Sequence, residues 1–179
     1  MGQIRTPDPV KLFVGMLAED ADLFGAAQKE MTARFGAVDV TSEVMPFNFT
    51  DYYTKEMGPN LLRKFAAFER LIDPSELVSA KLLTNGLEKR ISEQHGAERR
   101  LVNLDPGYIS HAKLVLASTK DYSHRIYVGE GIFAEITLYY SNKRFNPWPW
   151  TYADYKTDAY CSFFEEVRRL YVETLKRRG

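Results

Sequence analysis

Asp73-Pro-Ser-Glu76 is the strongest local constraint on this chain. An aspartate N-cap, a proline at the first helical position and a glutamate placed to reach back to the cap form a capping box, so a helix is expected to start here. Its apolar face is Leu77, Ala80, Thr84, Leu87 and Ile91, and it ends near Gly96, with Gly86 a mild weakness inside it.

The other elements arrange themselves around that start. Lys11 to Ala18 is a compact apolar run bounded by Pro9 and an acidic cluster, which reads as a buried strand. Asp20 or Asp22 can cap a helix whose apolar face is Leu23, Phe24, Ala27, Met31 and Phe35, closed by Gly36. Val38 to Phe49 reads as a strand broken near Pro46, Leu61 to Ile72 as another, and Leu101 to Leu104 as a fourth. Strand-helix-strand-strand-helix-strand is the split βαβ order, so the expected fold is α+β with a ferredoxin-like core.

Three more strands extend that core: Ala112–Thr119, His124–Val128 and Ile132–Tyr140, the last two forming a C-terminal hairpin about Gly129-Glu-Gly131. A terminal helix follows, apolar at Tyr160, Phe163, Phe164, Val167, Leu170, Tyr171 and Leu175. No repeat, low-complexity tract or linker interrupts the chain, and a single α+β domain over residues 1–179 is expected.

Composition narrows the function classes. With 24 basic and 24 acidic side chains the net charge is zero, which removes the electrostatic footprint of a nucleic-acid binder. No aromatic RNP-type strand is present either, so nucleic acid is not an expected partner. Cys161 is the single cysteine and sits in an apolar helical run, so it reads as an inert thiol rather than a nucleophile. No apolar run approaches a membrane span, and the expectation is a cytoplasmic protein with no membrane partner.

Candidate chemistry concentrates between Asn103 and Tyr155, where charged residues interrupt strand-like runs. Such interruptions cost free energy unless the charges are paired or functional. With Gly129-Glu-Gly131 as a three-residue loop, Arg125 stands directly across from Glu135; with a turn one residue longer, His124 takes that place. The functional reading is a charged pocket floor in which Arg125 binds an anion and Glu135 orients it or acts as a base. The plainer reading, an ion pair on a partly exposed sheet face, is the commoner outcome. Lys113, Lys120, His124 and Arg125 form a basic group able to cradle phosphate or carboxylate. Asp105 and Asp154 are candidates for orientation or metal binding, although no diagnostic metal spacing is present. Lys81, Asn85 and Glu88 share one side of a helix, lining a cleft or, more simply, forming an exposed polar stripe. The segment Phe145–Tyr152, with Tyr155, offers aromatic stacking for a nucleobase or an oligomer contact, but more simply anchors the terminal helix.

Several of these stretches together resemble an uncharacterised bacterial family, the domain-of-unknown-function 4416 family. The matching elements are Pro9-Val-Lys-Leu-Phe-Val-Gly-Met16, Phe49-Thr-Asp-Tyr-Tyr53, Lys81-Leu-Leu-Thr-Asn85, Asn103-Leu-Asp-Pro-Gly-Tyr108, Lys113-Leu-Val-Leu-Ala-Ser118, His124-Arg-Ile-Tyr127 and Pro149-Trp-Thr-Tyr152. The resemblance implies a small cytoplasmic protein and brings no activity, cofactor or catalytic residue with it. Some relatives carry a GTP-binding label. Against it, Thr119-Lys-Asp121 lacks the spacer of a guanine-recognition motif, Asp105-Pro-Gly107 is one residue short of Asp-x-x-Gly, and no phosphate loop is present. An ordinary GTPase is not supported; a nucleotide bound by other means stays open.

The resulting expectation is a pocket built from residues 103–155 that binds a small anionic ligand, phosphorylated or nucleotide-like. Whether it is an enzyme stays open, although acid–base or phosphoryl chemistry suits these side chains better than covalent catalysis. The alternative is a non-catalytic interaction or homo-oligomerisation module using the aromatic 145–155 segment and the C-terminal helix. Under the first expectation, Arg125→Ala spares the fold and abolishes stabilisation by ligand.

Overall fold

The computed structural model describes residues 2–178. Its centre is β1 (Val10–Ala18), buried at every position. Successive strand residues point to opposite faces, so a strand buried throughout needs cover on both. Leu12, Val14, Met16 and Ala18 pack against α1 (Asp22–Phe35) and α3 (Leu77–Gln94), while Phe13 packs on the opposite face against α4 (Asp158–Lys176).

The remaining elements are β2 (Val38–Thr41), β3 (Met45–Pro46), the short helix α2 (Thr54–Met57), β4 (Leu62–Ile72), β5 (Val102–Ile109), β6 (Lys113–Ser118), β7 (Ile126–Gly129), β8 (Ile132–Ser141) and β9 (Arg144–Pro147). Among the described residues the strands form one nine-stranded antiparallel sheet, in the order β2-β4-β1-β5-β6-β8-β7, with β3 on β4 and β9 on β8. The architecture is α+β, with α1 and α3 on one face and α4 on the other.

The local signals act as their chemistry requires. Asp73 Oδ1 accepts the Ser75 N–H at 2.9 Å and Glu76 Oε1 accepts the Asp73 N–H at 2.9 Å, closing the capping box through a short 3-10 turn that leads into α3. Leu77, Ala80, Thr84, Leu87 and Ile91 are all buried. The aromatic segment anchors the terminal helix: Tyr155 stacks on Phe164 with centroids 5.6 Å apart, and Phe163 stacks on Phe65 at 5.4 Å. Burying each such ring stabilises the fold by about 1.5–3 kcal/mol.

Three expectations are corrected. The fourth strand does not stop at Leu104 but continues through Pro106 and Gly107 to Ile109. The hairpin keeps the Tyr127–Phe133 pairing of the three-residue loop, but Gly129 rather than Val128 stands across from Ile132, so a bulge falls at Val128. The chain also adds β9, a short strand over Arg144–Pro147 that local patterning did not reveal.

Candidate functional site

The site begins with a proline inside a strand. β5 pairs with β6 only over Gly107–Ile109 against Leu114–Leu116. Just beyond that ladder, Ser110 N–H donates to Lys113 C=O at 3.0 Å. Alternation along the strand then puts Tyr108 and next Pro106 on the same hydrogen-bonding edge. Pro106 has no N–H to offer, so the ladder ends there and the two strands part. Gly107 allows the close approach just before the split: a Cβ there would lie 2.5 Å from the Val115 carbonyl oxygen and 2.6 Å from the Phe13 ring.

Past the split, Leu104 presents backbone groups with no strand beside them, and α3 supplies the partners. Glu88 Oε1 accepts the Leu104 N–H at 2.6 Å, and Lys81 Nζ donates to the Leu104 C=O at 3.0 Å. Lys81 also donates to Asp105 Oδ1 at 3.0 Å, and the Asn103 amide donates to Asp105 Oδ2 at 2.5 Å. Lys81 and Glu88 are 5% and 7% exposed, so the reading of this helix face as a solvated stripe is overturned.

The parted strands open into a cavity of about 660 Å³. Tyr52, Tyr122 and Tyr152 stand exposed at its rim, and Phe47, Tyr53 and Tyr155 line it more deeply. Five cations and five carboxylates share the walls, and most are paired. Arg63 meets Asp154 at 3.1 Å, Lys81 meets Asp105 at 3.0 Å, Arg100 meets Glu56 at 2.8 Å and Glu88 at 3.4 Å, and Arg125 meets Glu135 at 2.7 Å. Among the described residues, Lys120 is the cavity cation without a carboxylate partner; its ammonium lies 3.8 Å over the Tyr52 ring.

Burial and neighbouring charge set the protonation of these groups. Burial lifts Glu88 to about 7, with Asp105 adding to it and Lys81, the Leu104 N–H and Arg100 pulling back. Burial also pushes Asp105 upward, but Lys81, Arg63 and Asn103 outweigh it and hold the carboxyl below its ordinary range. For Asp154 burial wins over Arg63, and the group titrates above its ordinary value. Burial works against the charge on Arg63, yet Tyr155, Tyr160, Asp154 and Asp105 around it keep it more firmly protonated than usual. Its Nη1 is buried without a hydrogen-bond partner, and the guanidinium sits against the faces of Phe47 and Phe65 at 5.0 and 5.4 Å.

Arg125 ties the far wall together. Its Nε donates to Glu135 at 2.7 Å, Nη1 donates to Ser118 at 2.7 Å and to the Lys120 carbonyl at 3.0 Å, and Nη2 donates to the Tyr152 hydroxyl. Thr137 donates to the other Glu135 oxygen at 3.0 Å. The pair is not on an exposed face, since both side chains are 1% accessible.

The sequence candidates are therefore gathered in part. Lys120, Arg125, Glu135, Asp105 and Asp154 line the cavity. His124 stands behind the wall, 3.3 Å from Glu135 and stacked on Trp150. Lys113 is exposed at the other end of β6, paired across from Tyr139, so the basic quartet is not one cluster. Asp105 and Asp154 each face a cation, and among the described residues no group of three or more His, Cys, Asp or Glu is placed to hold a metal ion. Arg63, Arg100 and Tyr53 were not read from the sequence as site residues; Arg63 comes from β4, Tyr53 from the turn before α2 and Arg100 from the loop just before β5.

Fold and site together define an α+β protein whose antiparallel sheet is split into a charge-paired, tyrosine-rimmed cleft. The chain belongs to the family described as Domain of unknown function (DUF4416), whose model matches residues 8–171. No curated protein and no solved structure matches it. Among the described residues, no helix is long and apolar enough to cross a membrane.

Proposed function

We propose that this protein binds a small anionic ligand, phosphorylated or nucleotide-like, in the cleft between β5 and β6. The observation that carries the reading is Lys120: among the described residues it is a cation without a carboxylate partner at the mouth of a cavity whose other cations are all paired. About 660 Å³ falls within the span of small-molecule sites. Aromatic rings at the mouth suit a ligand with a flat, partly apolar body. Glu88, buried and titrating near neutrality, supplies an acid–base group if the ligand is also transformed.

The competing interaction-module reading has less to stand on. The apolar face of α4, from Tyr160 through Phe163, Phe164 and Val167 to Tyr171, is spent against the sheet. We also infer a split βαβ core. Its support is the run β2-β4-β1-β5, which places the strand after each helix as that unit requires, with α1 and α3 on one face.

A thermal-shift panel of nucleotides, sugar phosphates and carboxylate metabolites, with and without magnesium, tests the binding claim. A true ligand at a hundredfold excess over its dissociation constant stabilises the native state by about 2.7 kcal/mol. A flat panel on well-folded protein overturns the reading.

A further inference from the structure

We infer that the cleft selects a planar ring bearing one anionic group, a single phosphate or carboxylate, and discriminates against the highly charged tail of a nucleoside triphosphate. This rests on the anion-binding reading above and narrows its ligand class. The reason is the charge already in the walls. Arg63, Lys81, Arg100 and Arg125 each stand within 2.7 to 3.1 Å of a carboxylate, so their charges are answered before any ligand enters. One anionic group placed at Lys120 completes the pairing. Every further negative charge enters a wall that also carries Glu56, Glu88, Asp105, Glu135 and Asp154 and has no unpaired cation left among the described residues. Like charges brought together in a partly desolvated site repel far more strongly than in water.

The ring half of the inference comes from the mouth. Tyr52, Tyr122 and Tyr152 are 60%, 50% and 44% exposed there, and Lys120 lies over one of them. Exposed tyrosines converging on a cavity present flat faces at low entropic cost, which a planar ligand can stack against. Asn85, on the α3 face between Lys81 and Glu88, also lines the cavity and offers a neutral donor and acceptor for the edge of such a ring.

Calorimetric titration at constant ionic strength, with and without magnesium, decides the matter. The probes are phenyl phosphate, benzoate, adenosine and guanosine monophosphates, the matching triphosphates, and glucose 6-phosphate. At least one planar-ring compound with a single anionic group is expected to bind ten times more tightly than either triphosphate or glucose 6-phosphate. That binding is expected to fall at least tenfold in Lys120→Ala and to persist in Lys120→Arg, with unchanged circular dichroism in both. A triphosphate or the sugar phosphate, whose ring is puckered and not planar, binding as tightly overturns the selectivity while sparing the anion site. Unchanged affinity in Lys120→Ala also overturns it. Binding by no anion at all overturns both readings together.

Discussion

Glu88 Oε1 accepts the Leu104 N–H at 2.6 Å, standing where a neighbouring strand would have bonded. With Lys81 on the Leu104 carbonyl, α3 completes the hydrogen bonding of β5 after Pro106 has ended the ladder. A buried backbone group left unpaired costs about 1–3 kcal/mol, so this substitution is what allows the sheet to open without stranding the Leu104 N–H and C=O. The same substitution places a titratable carboxylate in the wall of the cavity.

That carboxylate should be visible in stability against pH. Glu88 titrates near 7 in the folded protein, lifted chiefly by burial, against 4.5 for an unperturbed glutamate. The native state therefore holds a proton that the unfolded chain has released. Its stabilising contribution is full below pH 4.5 and is lost as pH rises through 7. Glu88→Gln keeps the acceptor for Leu104 and removes the titration. Unfolding free energies from urea titrations should fall less between pH 5 and 8 in the variant than in the wild type, by an amount on the order of 2–3 kcal/mol. Parallel slopes would contradict the assignment.

Arg125 behaves differently from the sequence expectation. Its side chain and that of Glu135 are each 1% accessible, and four groups depend on its donors. Arg125→Ala should cost about 3–5 kcal/mol, because it strands a buried carboxylate. Glu135→Gln, which leaves an acceptor in place, should cost less. Guanidinium unfolding curves measure both, and a loss below about 1 kcal/mol for Arg125→Ala would be the wrong result for a buried pair. Lys120, half-buried at the rim, is the cleaner probe of binding.

Two glycines should respond in opposite senses. Gly107→Ala drives a methyl group to within 2.5 Å of the Val115 carbonyl oxygen and should destabilise the fold by about 3 kcal/mol. Gly86, inside α3, has no heavy atom within 4 Å of the added carbon. Gly86→Ala should stabilise by about 0.5–1 kcal/mol through helix propensity. Thermal unfolding of the two variants side by side checks the pair.

Much of this architecture is written in short-range chemistry. The Asp73 capping box and the apolar stripes of α1, α3 and α4 follow from spacing. Hairpin spacing offered either Arg125 or His124 as the neighbour of Glu135, and both side chains reach it. The cleft does not, because it depends on which edge of β5 faces β6 and on where that edge loses its N–H. Pro106 carried the signal, but reading the strand as ending at Leu104 hid its effect. Without the split, Lys81 and Glu88 look like surface residues. Arg63 is harder still. It sits in β4 among residues of ordinary strand pattern, and its partners Asp154 and Tyr160 lie more than ninety residues away.

Where the ligand sits can be seen directly in nitrogen-edited amide spectra recorded during a titration with phenyl phosphate. Saturable shifts are expected at Leu104, Ser118, Lys120 and Tyr122, which surround the opened strands, with Lys113 and the β7 edge unmoved. Shifts confined to Lys113 or to β7, or none at concentrations where calorimetry shows binding, would contradict a site between β5 and β6.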